Sequence, residues 1–136
     1  MKEFTSHTEL YYHGVWTTWD RLPIITTQIE PVIYETIKSR CLERKCQLIS
    51  IGGIEDHVHV LIRLSPTDAI STIIKELKGS SSFVVNKTFP EANFKWRESY
   101  AAFTVCTRNV PIIQAYINKQ KQHHQRNTIN NKYEIE

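Results

Sequence analysis

Asp56-His57-Val58-His59-Val60-Leu61-Ile62 decides the reading of this chain. After Asp56 the run is apolar apart from two histidines two residues apart, with Gly52-Gly53 before it and Ser65-Pro66 after it. Such a run reads as a strand ending near Leu64. A strand sends residues i and i+2 to one face, so His57 and His59 emerge side by side. Adjacent imidazoles on one rigid strand form a two-point grip for a divalent metal. The same pair also reads as two strand histidines bonded to neighbouring groups. Asp56 either orients one of them or closes the preceding turn.

Upstream, Gln47 to Ile51 reads as a strand, with Gly52-Gly53 as a flexible turn. Before it, Ile29, Val32, Ile33, Ile37 and Cys41 recur at helical spacing, in a helix ending near Lys45. Thr27-Gln28-Ile29-Glu30 fits a capping box, with Thr27 capping and Glu30 reaching back. Leu10 to Trp19, rich in Tyr, Val, Trp and Thr, reads as the first strand. Downstream, Ser65-Pro66-Thr67-Asp68 starts a second helix with Ile70, Ile73, Ile74, Leu77, Ser81 and Val84 facing inward. Phe94 to Trp96 and Tyr100 to Cys106 supply one or two more strand segments. Asn109 caps a last helix with Pro111 in its first turn. The order predicts an α+β fold: a ferredoxin-like β-α-β-β-α-β sandwich with an antiparallel sheet, plus an extra C-terminal helix. That extra helix either covers an open edge or carries function.

The 136 residues suit one domain, with a core over about 8–125 and a polar, frayed tail over 126–136. Apolar residues at 40% and charged residues at 23% match ordinary globular usage. Four Gly and five Pro argue against a linker-rich chain. No apolar run is long enough to cross a bilayer, and the start lacks a signal-peptide core, so a cytoplasmic protein is expected. Cys41, Cys46 and Cys106 are odd in number and lack CxxC spacing. They speak for reduced thiols and against cysteine-held zinc. A net charge of +3 is compatible with a nucleic-acid partner without demanding one.

On the last helix, Tyr116 and Gln120 stand at i and i+4, one above the other. Ile113 and Ile117 form a neighbouring stripe that can dock the helix and aim both residues at one point. An amphipathic tyrosine and a solvated glutamine are the plainer alternatives. With His57 and His59 as nitrogen ligands and the Gln120 carbonyl as a third, the set suits Mg²⁺ or Mn²⁺. Such a metal would polarise a phosphodiester, and Tyr116 could attack phosphorus through its phenolate oxygen. Phosphate contacts want mobile cations, which makes Arg21, Lys75, Lys78, Arg97, Lys119 and Lys121 nucleic-acid-binding candidates. Trp19 and Trp96 are candidate stacking planes for bases, or core residues. His123 and His124 fall one turn beyond Gln120, where one of them could reach the site or both could form an exposed polar face, and His7 and His13 have no evident partner.

These residues carry a family resemblance. His57-Val58-His59 looks like the His-hydrophobic-His signature of HUH nucleases. Tyr116-Ile117-Asn118-Lys119-Gln120, followed by His123-His124, resembles the catalytic helix of the single-strand tyrosine transposases of the insertion-sequence 200/605 family. Tyr12-His13-Gly14-Val15-Trp16-Thr17-Thr18, Leu77-Lys78-Gly79-Ser80-Ser81, and Trp96 with Tyr100 to Val105 resemble further blocks of that family in matching order. Ser99 departs from it, standing where many relatives have glycine. The resemblance implies a transposase that binds transposon-end hairpins and cleaves and rejoins single-stranded DNA through a 5′-phosphotyrosine. It implies Tyr116 as nucleophile and His57, His59 and Gln120 as holders of Mg²⁺ or Mn²⁺. It also implies a homodimer that shares the tyrosine helix in trans, with Arg108-Asn109-Val110 as the hinge that lets that helix dock in cis or trans. The alternative on the same fold is a non-catalytic hairpin DNA- or RNA-binding module. A histidine-triad nucleotide hydrolase would need a third alternating histidine, and position 61 is Leu.

Overall fold

The computed structural model describes residues 6–126 and Glu134; apart from Arg126 and Glu134, the tail expected over 126–136 lies outside the described residues. Four strands form one sheet: β1 (Leu10–Thr17), β2 (Gln47–Ile54), β3 (His57–Leu64) and β4 (Ala101–Val105). Their order is β2-β3-β1-β4, with every neighbouring pair antiparallel. Helices α1 (Ile29–Glu43) and α2 (Ile70–Thr88) connect them as a ferredoxin-like fold requires, and α3 (Val110–Asn118) and α4 (Gln120–Arg126) follow.

The two-residue alternation of β3 divides the molecule. Val58, Val60, Ile62 and Leu64 join Trp16, Ile33, Ile37, Ile73, Ile74 and Leu77 in the main core, beneath α1 and α2. His57, His59 and Leu61 face the other way. There Leu61 meets Ile113 and Ile117 of α3, with Ile49, Val105 and Val110 around them. Burying each of these two isoleucines stabilises the docked helix by about 1.5–3 kcal/mol.

Several local expectations are corrected. Gly52 and Gly53 are not a turn. They lie inside β2, opposite His59 and Val58, and the chain turns at Glu55-Asp56 instead. The reason lies overhead: a Cβ on Gly52 would collide with the carbonyl oxygen of Ile117, so only glycine lets α3 sit so close. Helix α1 is closed by Thr26, whose Oγ1 accepts the Ile29 N–H at 3.2 Å, rather than by Thr27. Glu30 does not reach back; it accepts a hydrogen bond from Lys121 Nζ at 2.6 Å. Helix α2 begins at Ile70, because Ser65–Asp68 folds into a turn closed from the Asp68 N–H to the Ser65 carbonyl at 3.1 Å. Proline at the second place of such a turn is well accommodated. Val85, four residues past Ser81, is buried in the stripe where Val84 was expected. In the segment 94–96 only Trp96 pairs, through a single bridge to Thr18. Asn109 precedes α3 without a side-chain cap, and Pro111 occupies the first turn as expected. The last helix is not continuous: it breaks at Lys119, so Tyr116 and Gln120 belong to successive helices.

Candidate active site

His57 and His59 are buried, at 1% and 0% exposure, although they face away from the main core. Each is held at Nδ1 and directs Nε2 inward. His57 Nδ1–H donates to Asp56 Oδ1 at 2.8 Å. His59 Nδ1 shares a 2.8 Å hydrogen bond with Nε2 of His13, from β1. The turn carrying Asp56 is fixed in turn, since its carbonyl accepts the Thr18 N–H at 2.9 Å.

The isoleucines of α3 bring Tyr116 over these rings, with the Tyr116 and His59 ring centroids 6.1 Å apart. Ser50 of β2 hydrogen-bonds Asn118 and ties down the end of α3. Gln120 Oε1 accepts from His57 Nε2 at 3.2 Å and from His124 Nε2 at 3.1 Å. Tyr116, His57, His59 and Gln120 therefore converge, even across the helix break. They do so within one chain. Here the isoleucine stripe of α3 packs on Leu61 of the same chain's β3. The hinge candidate Arg108-Asn109-Val110 spans a short turn running directly into α3.

Glu134 stands at the point of convergence. Its Oε1 accepts from His59 Nε2 at 3.1 Å and lies 3.4 Å from His57 Nε2. Its Oε2 accepts from the Tyr116 hydroxyl and from Gln120 Nε2, the latter at 3.4 Å. Ligand atoms of His57, His59 and Glu134 all lie within 4.8 Å of one another. Two imidazole nitrogens, an amide oxygen and a carboxylate make a mixed N/O donor set. Such donors can hold a divalent cation, and they include no thiolate.

The electrostatics differ between the two histidines. Burial alone would lower the pKa of His57, but hydrogen bonds and charge from Asp56 and Glu134 outweigh it and push it up to about 9. Burial dominates at His59 and lowers its pKa. His13 is driven down to about 3, by burial first and by His59 second. Burial would raise Glu134, yet hydrogen bonds from His57 and His59 hold it well below the usual carboxylate range.

Two participants escape the sequence reading, and two more read chiefly as surface. His13, thought partnerless, holds His59. His124 bonds Gln120, and His123 stacks on the Tyr116 ring at 4.6 Å between centroids, so neither is simply an exposed polar face. Glu134 arrives from a tail with no motif to announce it. For His13 a signal existed: alternation places it on the face of Val15 and Thr17, but only the register opposite Leu61 brings it to His59.

The basic candidates scatter. Arg21 and Arg97 are exposed and line one cleft with Trp19, whose ring carries Lys95 Nζ at 4.0 Å. Arg21 also lies 3.8 Å from Asp56, which links that cleft to His57. Lys119 is exposed beside the Gly52-Gly53 backbone, and Lys121 pairs with Glu30. Lys78 donates to the carbonyls of Arg97, Glu98 and Ser99, a clamp on that loop. Lys75 is exposed on α2, across the sheet from the histidines. Trp96 is a core residue: its ring packs edge-on against Trp16 at 6.0 Å, and its N–H donates to Ser81 at 2.9 Å.

A ferredoxin-like sheet presenting His-x-His beneath a tyrosine-bearing helix is the architecture of a DNA-cleaving transposase. The family described as "Transposase IS200 like" matches residues 6–120, and the chain belongs to that family. It is 26% identical over 118 residues to the ISDra2 transposase TnpA of Deinococcus radiodurans, covering 82% of this chain and 84% of that protein. It is 25% identical to the transposase for insertion sequence element IS200 of Salmonella typhimurium, covering 80% of this chain and 75% of that one. Among solved structures, a transposase of Deinococcus radiodurans superposes with a TM-score of 0.70 at 25% identity, covering 88% of this chain and 98% of that one. A REP-associated tyrosine transposase bound to a REP hairpin shares the fold, with a TM-score of 0.64 at 17% identity over 91% of this chain and 74% of that one. No helix among the described residues is long and apolar enough to cross a membrane.

Proposed function

We propose that this transposase binds hairpin-ended single-stranded DNA and cuts and rejoins it through a covalent bond to Tyr116. One observation carries the reading: the Tyr116 hydroxyl and the Nε2 atoms of His57 and His59 all meet the carboxylate of Glu134. An anion is therefore already accommodated where a phosphodiester would have to lie. His57, His59 and Gln120 would hold Mg²⁺ or Mn²⁺, whose charge would polarise the phosphodiester and offset negative charge growing in the transition state.

The phenol oxygen of Tyr116 attacks phosphorus and forms the phosphotyrosine bond. The phosphorus–oxygen bond to the 3′ side breaks; the proton that the phenol gives up balances the one that the leaving oxygen takes to become a free 3′-hydroxyl. Storing the phosphodiester in the tyrosine bond lets the strand be rejoined without a nucleotide cofactor. Arg21, Arg97 and Trp19 form the basic and aromatic cleft that supports DNA contact nearest the histidines, with Lys119 and Lys121 on the α3–α4 side. The hairpin itself is supported by the resemblance and by the REP hairpin held by the solved relative. A homodimer in the cytoplasm belongs to the same reading, carried by the resemblance.

Incubating the protein with Mn²⁺ and a labelled hairpin oligonucleotide bearing a single-stranded flank gives a protein–DNA adduct that survives denaturation. Tyr116→Phe gives none. An adduct that persists in Tyr116→Phe and disappears on changing another tyrosine overturns the assignment. One feature favours a second reading, a non-catalytic hairpin-binding module: Glu134 covers the phenol and both histidines. Metal-indifferent hairpin binding with no adduct from the unaltered chain would establish it.

A further inference from the structure

We infer that His13 is a positioning residue for the metal site, holding the His59 ring by Nδ1 so that Nε2 points at the shared anion and metal position. The inference rests on the metal reading above and extends it to a residue that never touches metal or DNA. His13 is wholly buried. Its Nε2 lies 2.8 Å from His59 Nδ1, with the ring centroids 5.1 Å apart. Phe103, its cross-strand partner on β4, packs a tilted ring against it at 5.8 Å. A fully buried polar ring on a strand costs stability unless it is hydrogen-bonded, so a leucine would serve packing better at this position.

The bond has a chemical consequence. To ligate a metal, His59 must offer the Nε2 lone pair, which places its proton on Nδ1. That proton needs an acceptor, and His13 Nε2 is in place to be one. When Glu134 instead accepts a proton from His59 Nε2, His59 Nδ1 becomes the acceptor and His13 the donor. An imidazole can reverse its role in this way; a carboxylate can only accept. His57, by contrast, is held by the acceptor Asp56, so one ligand of the pair is fixed and the other is reversible.

The test compares His13→Gln with His13→Met, two side chains of similar reach of which only glutamine hydrogen-bonds. Mn²⁺ affinity is measured by calorimetry without DNA, beside hairpin binding, melting temperature and adduct formation. His13→Met is expected to lose about 10–100-fold in Mn²⁺ affinity. His13→Gln stays within about threefold of the unaltered chain because its amide oxygen accepts the same proton. Both bind the hairpin normally. A readout independent of metal accompanies these: ¹⁵N-labelled histidine in the unaltered, metal-free protein shows a nitrogen–nitrogen coupling across the His13–His59 bond. Equal Mn²⁺ affinity in His13→Met and the unaltered chain sinks this inference alone. An unaltered chain that binds no Mn²⁺ sinks the metal reading and this inference with it. If His13→Met fails to fold, the coupling decides, and its absence overturns the inference.

Discussion

Strand β3 has two faces, and the molecule uses them for opposite ends. Val58, Val60, Ile62 and Leu64 lie in a dry core in which aliphatic side chains and two tryptophans meet. His57 and His59, interleaved with them in sequence, are just as buried but sit in a polar cluster with His13, Gln120, Tyr116 and Glu134. The first face gains from area removed from water. The second gathers imidazoles, an amide and a carboxylate, and buried ionic groups of this kind add little to stability that packed aliphatic side chains do not. Burial alone therefore does not separate core from site. What separates them is whether the buried groups are held by hydrogen bonds that all converge on one point.

The comparison is broken most sharply by substitutions that should act on one face only. Leu77→Ala empties a fully buried position under the sheet and is expected to cost about 2–5 kcal/mol in chemical denaturation. Its adduct rate per folded molecule stays unchanged. A matching fall in that rate would mean the two faces are coupled.

Gly52→Ala does the reverse. The added methyl meets the Ile117 carbonyl and pushes α3, with Tyr116, away from the histidines. A displacement of about 1 Å at reacting groups costs roughly 100-fold in rate. Hairpin binding by gel shift is expected to survive, and full activity would show that α3 need not dock this closely.

Glu134→Ala is the gentler test. Removing a carboxylate from the place a phosphodiester must reach is expected to raise adduct formation several-fold at saturating Mn²⁺. A fall would make Glu134 a metal ligand or the base for Tyr116 instead.

The smallest effect is a pH profile of melting for the metal-free protein. His57, raised to about 9, contributes stability that is full below 6.5 and is lost as pH rises through about 9. His13, lowered to about 3, acts in the other sense: below 6.5 the unfolded chain takes a proton that the fold refuses, so acid destabilises. The melting temperature is expected to peak near 6.5. Asp56→Asn should flatten the alkaline side, since the carboxylate that raises His57 is gone.

Much of this is legible in the amino-acid sequence. Alternation along 57–64 gave the two faces, helical spacing gave α1 and α2, and Ile113 with Ile117 correctly announced the docking of Tyr116. Errors fell where a distant contact overrides a local signal. Gly52-Gly53 looks like a turn because glycine usually serves there; here it makes room for a helix sixty-odd residues away. Ser65-Pro66 resembles a helix start because its turn uses the same residues. His13 and Glu134 could not be found from spacing, since strand register brings one to the site and a tail contact the other.

The account stands most directly on the identity of the atom that bonds DNA. After reaction with a hairpin oligonucleotide and Mn²⁺, nuclease and protease digestion followed by tandem mass spectrometry should locate a 5′-phosphonucleotide on Tyr116. A nucleotide mapped to any other residue, or adduct formed equally well by a chain lacking both His57 and His59, would contradict it.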